Sequence, residues 1–139
     1  MAANSKIAVA THIMATLALK DDVVTSSYLG DSVNTNPVVI RRILSDLQKA
    51  GLVETCPGKA GGARLAKEAA KITLQDIYVA VDDGSLFALN RNEPNQKCPI
   101  SCVMSSVLTP VFASADKTLA AQLKKTKLSD VVREIKAKL

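Results

Sequence analysis

The sequence predicts a mainly α-helical fold with one small β-hairpin, and three observations carry that reading. Apolar residues recur every three or four positions through most of the chain, which is the helical period. One stretch breaks the period: a short β-prone run at 52–56, then a Gly-rich loop, then a return run at 63–66. The 139 residues, 47% hydrophobic and 22% charged, suffice for one ordinary core and exclude wholesale disorder.

The first helix is expected over 7–19, with Ser5 as its N-cap and Lys20-Asp21-Asp22 as its end. After the short run Val23-Val24-Thr25, Ser26 can cap a second helix that reaches Val33. Asn34-Thr35-Asn36 forms a turn in which Asn34 tolerates the left-handed conformation and Asn36 is a strong N-cap. Pro37 suits the first position of a third helix, 37–49, which stops at the glycine C-cap Ala50-Gly51. The hairpin follows, with Pro57-Gly58-Lys59-Ala60-Gly61-Gly62 as an extended basic tip.

Thr73 caps a helix over 74–81, and residues 82–97, rich in Asp, Asn, Gly and Pro, read as a linker. Between 100 and 125 the residues Ile100, Val103, Met104, Val107, Leu108, Val111, Phe112, Ala115 and Leu119 keep helical spacing. They describe a long amphipathic helix, expected to bend at Pro110. Ser129 is the expected cap of a last helix, 130–139. The organisation is therefore a DNA-binding unit at 1–82, a linker or effector loop at 83–99, and dimerisation helices at 100–139.

Helix, three-residue turn, helix and Gly-rich hairpin, in that order, are the layout of a winged helix-turn-helix. In the third helix Ile40, Ile43, Leu44 and Leu47 share one face. Val38, Arg42, Ser45 and Lys49 share the opposite face, with Arg41 on its flank. Arg can read guanine edges with two hydrogen bonds, and Val38 can touch a thymine methyl. Residues 37–67 hold six basic side chains against two acidic ones, in a chain whose net charge is +5. The expected contacts to double-stranded operator DNA are Asn36, Pro37, Val38, Arg41, Arg42, Ser45 and Lys49, with Lys59, Gly61, Gly62 and Arg64 in the wing.

Other functions are excluded by what is scarce. Aromatics are 3% of the chain, too few to stack single-stranded bases. One histidine, His12, leaves no spare parts for a His-rich metal site or a Ser-His-Asp triad. Lys59 precedes the glycines and no Gly-Lys-Ser/Thr follows, so the loop is not a phosphate loop, and no enzyme is expected. No apolar run approaches a membrane span of about 18 residues. Three cysteines cannot close a disulfide framework, which favours a reducing, cytoplasmic setting.

The segments Ser5-Lys6-Ile7-Ala8-Val9-Ala10, 42–53, Gly61-Gly62-Ala63-Arg64-Leu65 and 72–82 resemble the Rrf2 family of bacterial regulators. That family includes the iron–sulfur cluster regulator, the cysteine-metabolism repressor and the nitrite-sensitive repressor. The resemblance covers nearly the whole chain. It implies a homodimer, a winged helix-turn-helix, a long C-terminal helix crossing between subunits, and an effector site in the linker before that helix. The apolar stripe through Ile100, Met104, Val107, Val111, Ala115 and Leu119 is what an exchanged helix needs.

Cluster-binding members of the family place three cysteines in the linker and at the start of the long helix. This chain has two there, in Cys98-Pro99-Ile100-Ser101-Cys102, while Cys56 lies at the base of the wing and reads as a packed strand residue. A cluster would need an outside ligand, so no cofactor is expected and an iron–sulfur sensor is the alternative. The preferred reading is a thiol sensor. Cys102 falls at the start of the long helix, whose free N–H groups favour a thiolate, the reactive form; a small oxidant or an electrophile such as a quinone is the expected inducer. Cys98, four residues earlier, is a candidate resolving thiol. A third reading, from another class, is a protein-interaction module with no DNA role.

Overall fold

A computed structural model describes residues 5–58, 61–82 and 85–139. Lys59, expected at the wing tip, and the first two linker positions, 83 and 84, lie outside the described residues. The helices are α1 (Lys6–Lys20), α2 (Ser26–Val33), α3 (Pro37–Lys49), α4 (Leu74–Val81), α5 (Pro99–Leu123) and α6 (Leu128–Lys138). The strands β1 (Val53–Cys56) and β2 (Gly62–Leu65) form one antiparallel hairpin, and a 3-10 turn at Ala69–Lys71 leads into α4. The mainly helical fold class with its β-hairpin wing is the one the sequence predicts.

The turn into α3 is built as expected. Asn34 takes the left-handed conformation at φ 61°, and Asn36 Oδ1 accepts the Val38 N–H at 2.8 Å, with Pro37 first in the helix. At the other end Gly51, at φ 77°, lets Leu52 N–H reach the Leu47 carbonyl and Gly51 N–H reach that of Gln48, a Schellman closure.

Three caps differ from the sequence reading, each for a local reason. Ser5 is already near helical (φ −94°, ψ 0°), and its hydroxyl makes no cap bond. Thr25, not Ser26, is extended and accepts the Tyr28 N–H at 3.1 Å, so it caps α2. Lys127 is held extended by its bridge to Thr73, so α6 starts at Leu128 and Ser129 lies inside it. The Asp130 carboxylate then reaches back to the Lys127 N–H at 2.9 Å. That bond, with Arg133 beside it, holds the Asp130 carboxyl below the usual carboxylate range.

The core joins the helices around α1. Ile13, Met14 and Leu17 of α1 are fully buried with Leu29 of α2, Ile40 and Leu47 of α3, Ile77 of α4 and Leu128 of α6. Helix α6, grouped by sequence with the dimerisation helices, packs back on the head in this chain: Val131, Val132 and Ile135 lie against the same core. The chain is clamped there by Leu128 N–H to Ile72 O at 2.8 Å and Leu74 N–H to Thr126 O at 2.9 Å.

Helix α5 is the exception to this packing. Its 25 residues include none that is buried. It is one helix in which Pro110 stands at an interior position, costing the backbone one N–H donor. No described helix is long and apolar enough to cross a membrane.

Candidate nucleic-acid interface and the cysteine region

Four apolar side chains of α3, Ile40, Ile43, Leu44 and Leu47, are buried in the head. That orientation forces Val38, Arg41, Arg42, Ser45 and Lys49 into solvent, all exposed on one helix together with Asn36 and Pro37 at its start. An exposed helix face that begins with a cap and a small apolar residue and carries two guanidinium groups has the size and chemistry of a major-groove reader. Gln48 is also exposed, and its Oε1 accepts the Thr55 hydroxyl at 3.4 Å, which ties the C-terminal end of α3 to the hairpin. Gln48, three residues after Ser45 and seven after Arg41, joins this exposed face, and its spacing from them is the sequence signal for it.

The wing pairs Val53 with Leu65, Glu54 with Arg64, Thr55 with Ala63, and Cys56 with Gly62. Arg64 is exposed and its Nε donates to the Glu54 carboxylate at 3.1 Å, which raises the guanidinium's affinity for its proton. A phosphate contact by Arg64 therefore competes with Glu54 in the free protein. Cys56 is half-buried at the end of β1.

Gly61 and Gly62, expected at the DNA surface, are demanded by packing. A side chain on Gly62 would place its Cβ 2.1 Å from the Val24 carbonyl oxygen, and one on Gly61 would meet the Cys56 carbonyl at the same distance. Gly61 is confined by its own turn, between the Cys56 and Gly58 carbonyls, and Gly62 by a third strand position. Val24 and Ala63 exchange both backbone hydrogen bonds at 2.8 Å, pinning the hairpin to the segment between α1 and α2. The β-prone Val23-Val24-Thr25 run was the sequence signal for this bridge.

Four of the six residues expected to form the dimer seam are in solvent. Ile100 is 65% exposed, Val107 55% and Val111 57%, with Met104 also exposed; Ala115 and Leu119 are half-buried. Leu119 turns toward its own head, lining a cavity with Ile7, Tyr78 and Leu123. Val103, Leu86, Phe87 and Leu89 add further exposed apolar surface. The three linker residues carry no periodic pattern, so sequence spacing could not flag them.

Cys102 is the fourth residue of α5 and is exposed; Cys98 caps the helix and is half-buried. The surroundings of the Cys102 sulfur differ from the expectation of free N–H groups. Its own N–H is bonded to the Cys98 carbonyl at 3.1 Å. Its thiol donates to the carbonyl oxygens of Asn95 and Gln96, at 3.6 and 3.8 Å. The sulfur is thus held as a weak donor against the linker.

Comparison with known proteins agrees with this geometry. The Rrf2 family, described as iron-dependent transcriptional regulators, matches residues 3–134. The chain belongs to the Rrf2 family. It is a DNA-binding transcriptional regulator and not an enzyme. YwnA of Bacillus subtilis, assigned as an HTH-type transcriptional regulator, is 38% identical over 133 residues, 95% of this chain and 98% of that one. A crystal structure of a protein assigned as DNA-binding has a TM-score of 0.73 at 34% identity, covering 91% of this chain and 98% of the other. IscR of T. potens shares the fold at a TM-score of 0.72 and 20% identity, over 100% of this chain and 92% of its own.

The family description names iron, and the donor set here does not fit a cluster held by one chain. Among the described residues, no three His, Cys, Asp or Glu side chains are gathered for a metal ion. Cys98 and Cys102 supply two thiols, and Cys56 belongs to the hairpin. An iron–sulfur site of the Cys-rich kind needs more thiolates than the linker of this Rrf2 chain brings together.

The packing role of Gly62 gives a direct test. Gly62→Ala should destabilise the folded chain by about 1–3 kcal/mol in chemical denaturation and weaken DNA binding, because the wing must move off Val24. Arg64→Ala should weaken DNA binding with stability close to wild type. Wild-type stability in Gly62→Ala would remove the hairpin's docking on Val24.

Proposed function

We propose that this Rrf2 chain is a homodimeric cytoplasmic repressor that reads operator DNA through α3 and the wing, and releases it when Cys102 is modified. The observation that carries the DNA part is the solvent face of α3, where packing of Ile40, Ile43, Leu44 and Leu47 leaves Val38, Arg41, Arg42, Ser45 and Lys49 exposed. Arg64 of the wing adds a phosphate contact, and Lys59, outside the described residues, is a second candidate for one. A second copy of the chain covers Ile100, Met104, Val107 and Val111, whose exposure is the support for a dimer. Two heads then meet half-sites about one turn of DNA, ~34 Å, apart.

The regulatory part rests on Cys102 being the exposed thiol of the three, with Cys98 four residues before it. A quinone supplies the simplest chemistry. The sulfur adds to a ring carbon, the S–H proton passes to the ring, and the product is a hydroquinone thioether, with no further oxidant consumed. The modified sulfur has no proton to donate to Asn95 and Gln96 and carries a new bulky group. Cys98 can instead form a disulfide with Cys102 under an oxidant that accepts two electrons and two protons.

Arg41→Ala and Arg42→Ala should each weaken binding to a DNA fragment selected from random sequence, by about 1–3 kcal/mol where the side chain reads a base and less where it meets phosphate. Fluorescence anisotropy measures this, and unchanged affinity in both variants would end the major-groove assignment. Cys102→Ser should bind that fragment normally and no longer release it on quinone treatment, while Cys56→Ser should release it as wild type does. Mass spectrometry that finds Cys102 unmodified in released protein would contradict the sensing role.

A further inference from the structure

The thiol and the head lie at opposite ends of α5. Leu119 and Leu123 meet the head there, sharing with Ile7, Tyr78, Asp82 and Leu86 the walls of a cavity of about 420 Å³. Cys102 stands seventeen residues before Leu119, about 26 Å away along a helix that rises ~1.5 Å per residue. An event at Cys102 reaches the head only through something that spans this distance.

The linker spans it. Leu86 N–H donates to the Asp116 carboxylate at 2.9 Å, and the Phe87 ring lies on Phe112 with centroids 5.2 Å apart. Nine residues later Asn95 N–H donates to the Ser101 hydroxyl at 2.8 Å, and the Cys102 thiol donates to the Asn95 and Gln96 carbonyls. The turn between is closed by Lys97 N–H to Asn95 Oδ1 at 3.1 Å and Cys98 N–H to Asn95 O at 3.0 Å. The segment therefore runs back along α5, from the head end to the thiol end, and is fastened at both.

The joint it bridges is loosely packed. Helix α5 buries no residue, and an open cleft lies between it and α1 and α4. Among the described residues, α5 meets the head at α4 and around this cleft, besides this segment and the α5–α6 turn.

We infer that residues 85–98 are a strap, pinned by Asp116 at the head end and by Ser101 and Cys102 at the far end, that sets the angle of α5 to the DNA-binding head. This rests on the reading that Cys102 controls DNA release, and it names how the change travels. Modification of Cys102 removes the sulfur's hold on the Asn95 and Gln96 carbonyls and puts a new group against the Asn95–Ser101 bond; that end is displaced, the strap slackens, and the heads lose their spacing.

Hydrogen–deuterium exchange and operator affinity, measured on the full chain without any thiol reagent, test the strap. Asp116→Ala and Ser101→Ala should each speed amide exchange over 86–97 by about tenfold or more and weaken operator binding by about fivefold or more, with Cys102 unmodified and head melting unchanged. Asp116→Asn and Ser101→Thr keep the acceptor oxygen and should behave as wild type. Faster exchange with unchanged affinity, or unchanged exchange, would overturn the strap. In quinone-treated wild type, DNA release without faster exchange at 86–97 would overturn the strap and leave the cysteine reading standing. Retained DNA beside a sensitive Asp116→Ala would overturn the cysteine reading and leave the strap.

Discussion

Ile100, Val103, Met104, Val107 and Val111 put an apolar face into water along α5, and no element among the described residues folds back to cover it. Such a face is unfavourable in proportion to its area, and burial against a matching surface is what stabilises a helix of this kind. The rest of the Rrf2 chain is arranged around that constraint. The head completes its own core, with α6 laid across α1 and Leu128 buried among the head's residues. Helix α5 is left projecting, joined to the head by a turn, a strap and a cavity. A self-sufficient head on an incomplete helix is the architecture of a subunit, and a second copy is the partner proposed for it.

Within the head, packing and recognition are two results of one helix's orientation. Burying Ile40, Ile43, Leu44 and Leu47 fixes α3 about its axis, and the same rotation fixes Arg41, Arg42 and Ser45 outward. The Asn36 cap and the Gly51 closure fix where the helix begins and ends. The wing is positioned by backbone pairing of Ala63 with Val24, which is why a glycine stands at 62; the glycine at 61 is set by the carbonyls of its own turn. The guanidinium of Arg64 and the carboxylate of Glu54 sit on its outer side.

Local chemistry with a strong pattern was legible in the sequence. The bounds of α3, its cap, the left-handed Asn34 and the hairpin all follow from residue type at fixed offsets. The spacing of Ile100, Met104, Val107 and Val111, at steps of three and four residues, likewise identifies an apolar helix. Interactions set by tertiary contact were not legible. Ser5 and Ser129 carry the right side chain for a cap, yet Ser5 is itself near helical and the bridge of Lys127 to Thr73 starts α6 before Ser129. The pairing of Val24 with Ala63 joins residues thirty-nine apart, so Gly62 read as a loop residue when it is a packing residue. The strap bonds of Leu86 to Asp116 and of Asn95 to Ser101 leave no periodic trace. Cys102 was expected beside free helix N–H groups, and the linker that folds over the helix start puts carbonyl oxygens there instead.

The central claim is that the exposed face of α5 is a seam between two copies, and sedimentation velocity of Val107→Asp tests it most directly. A charge placed in a dry apolar seam costs several kcal/mol. The wild type should sediment as a dimer at micromolar concentration, and Val107→Asp as a folded monomer with an unchanged helical spectrum and lost operator binding. A Val107→Asp protein that remains dimeric, or a wild type that is monomeric and still binds its operator fully, would contradict the account.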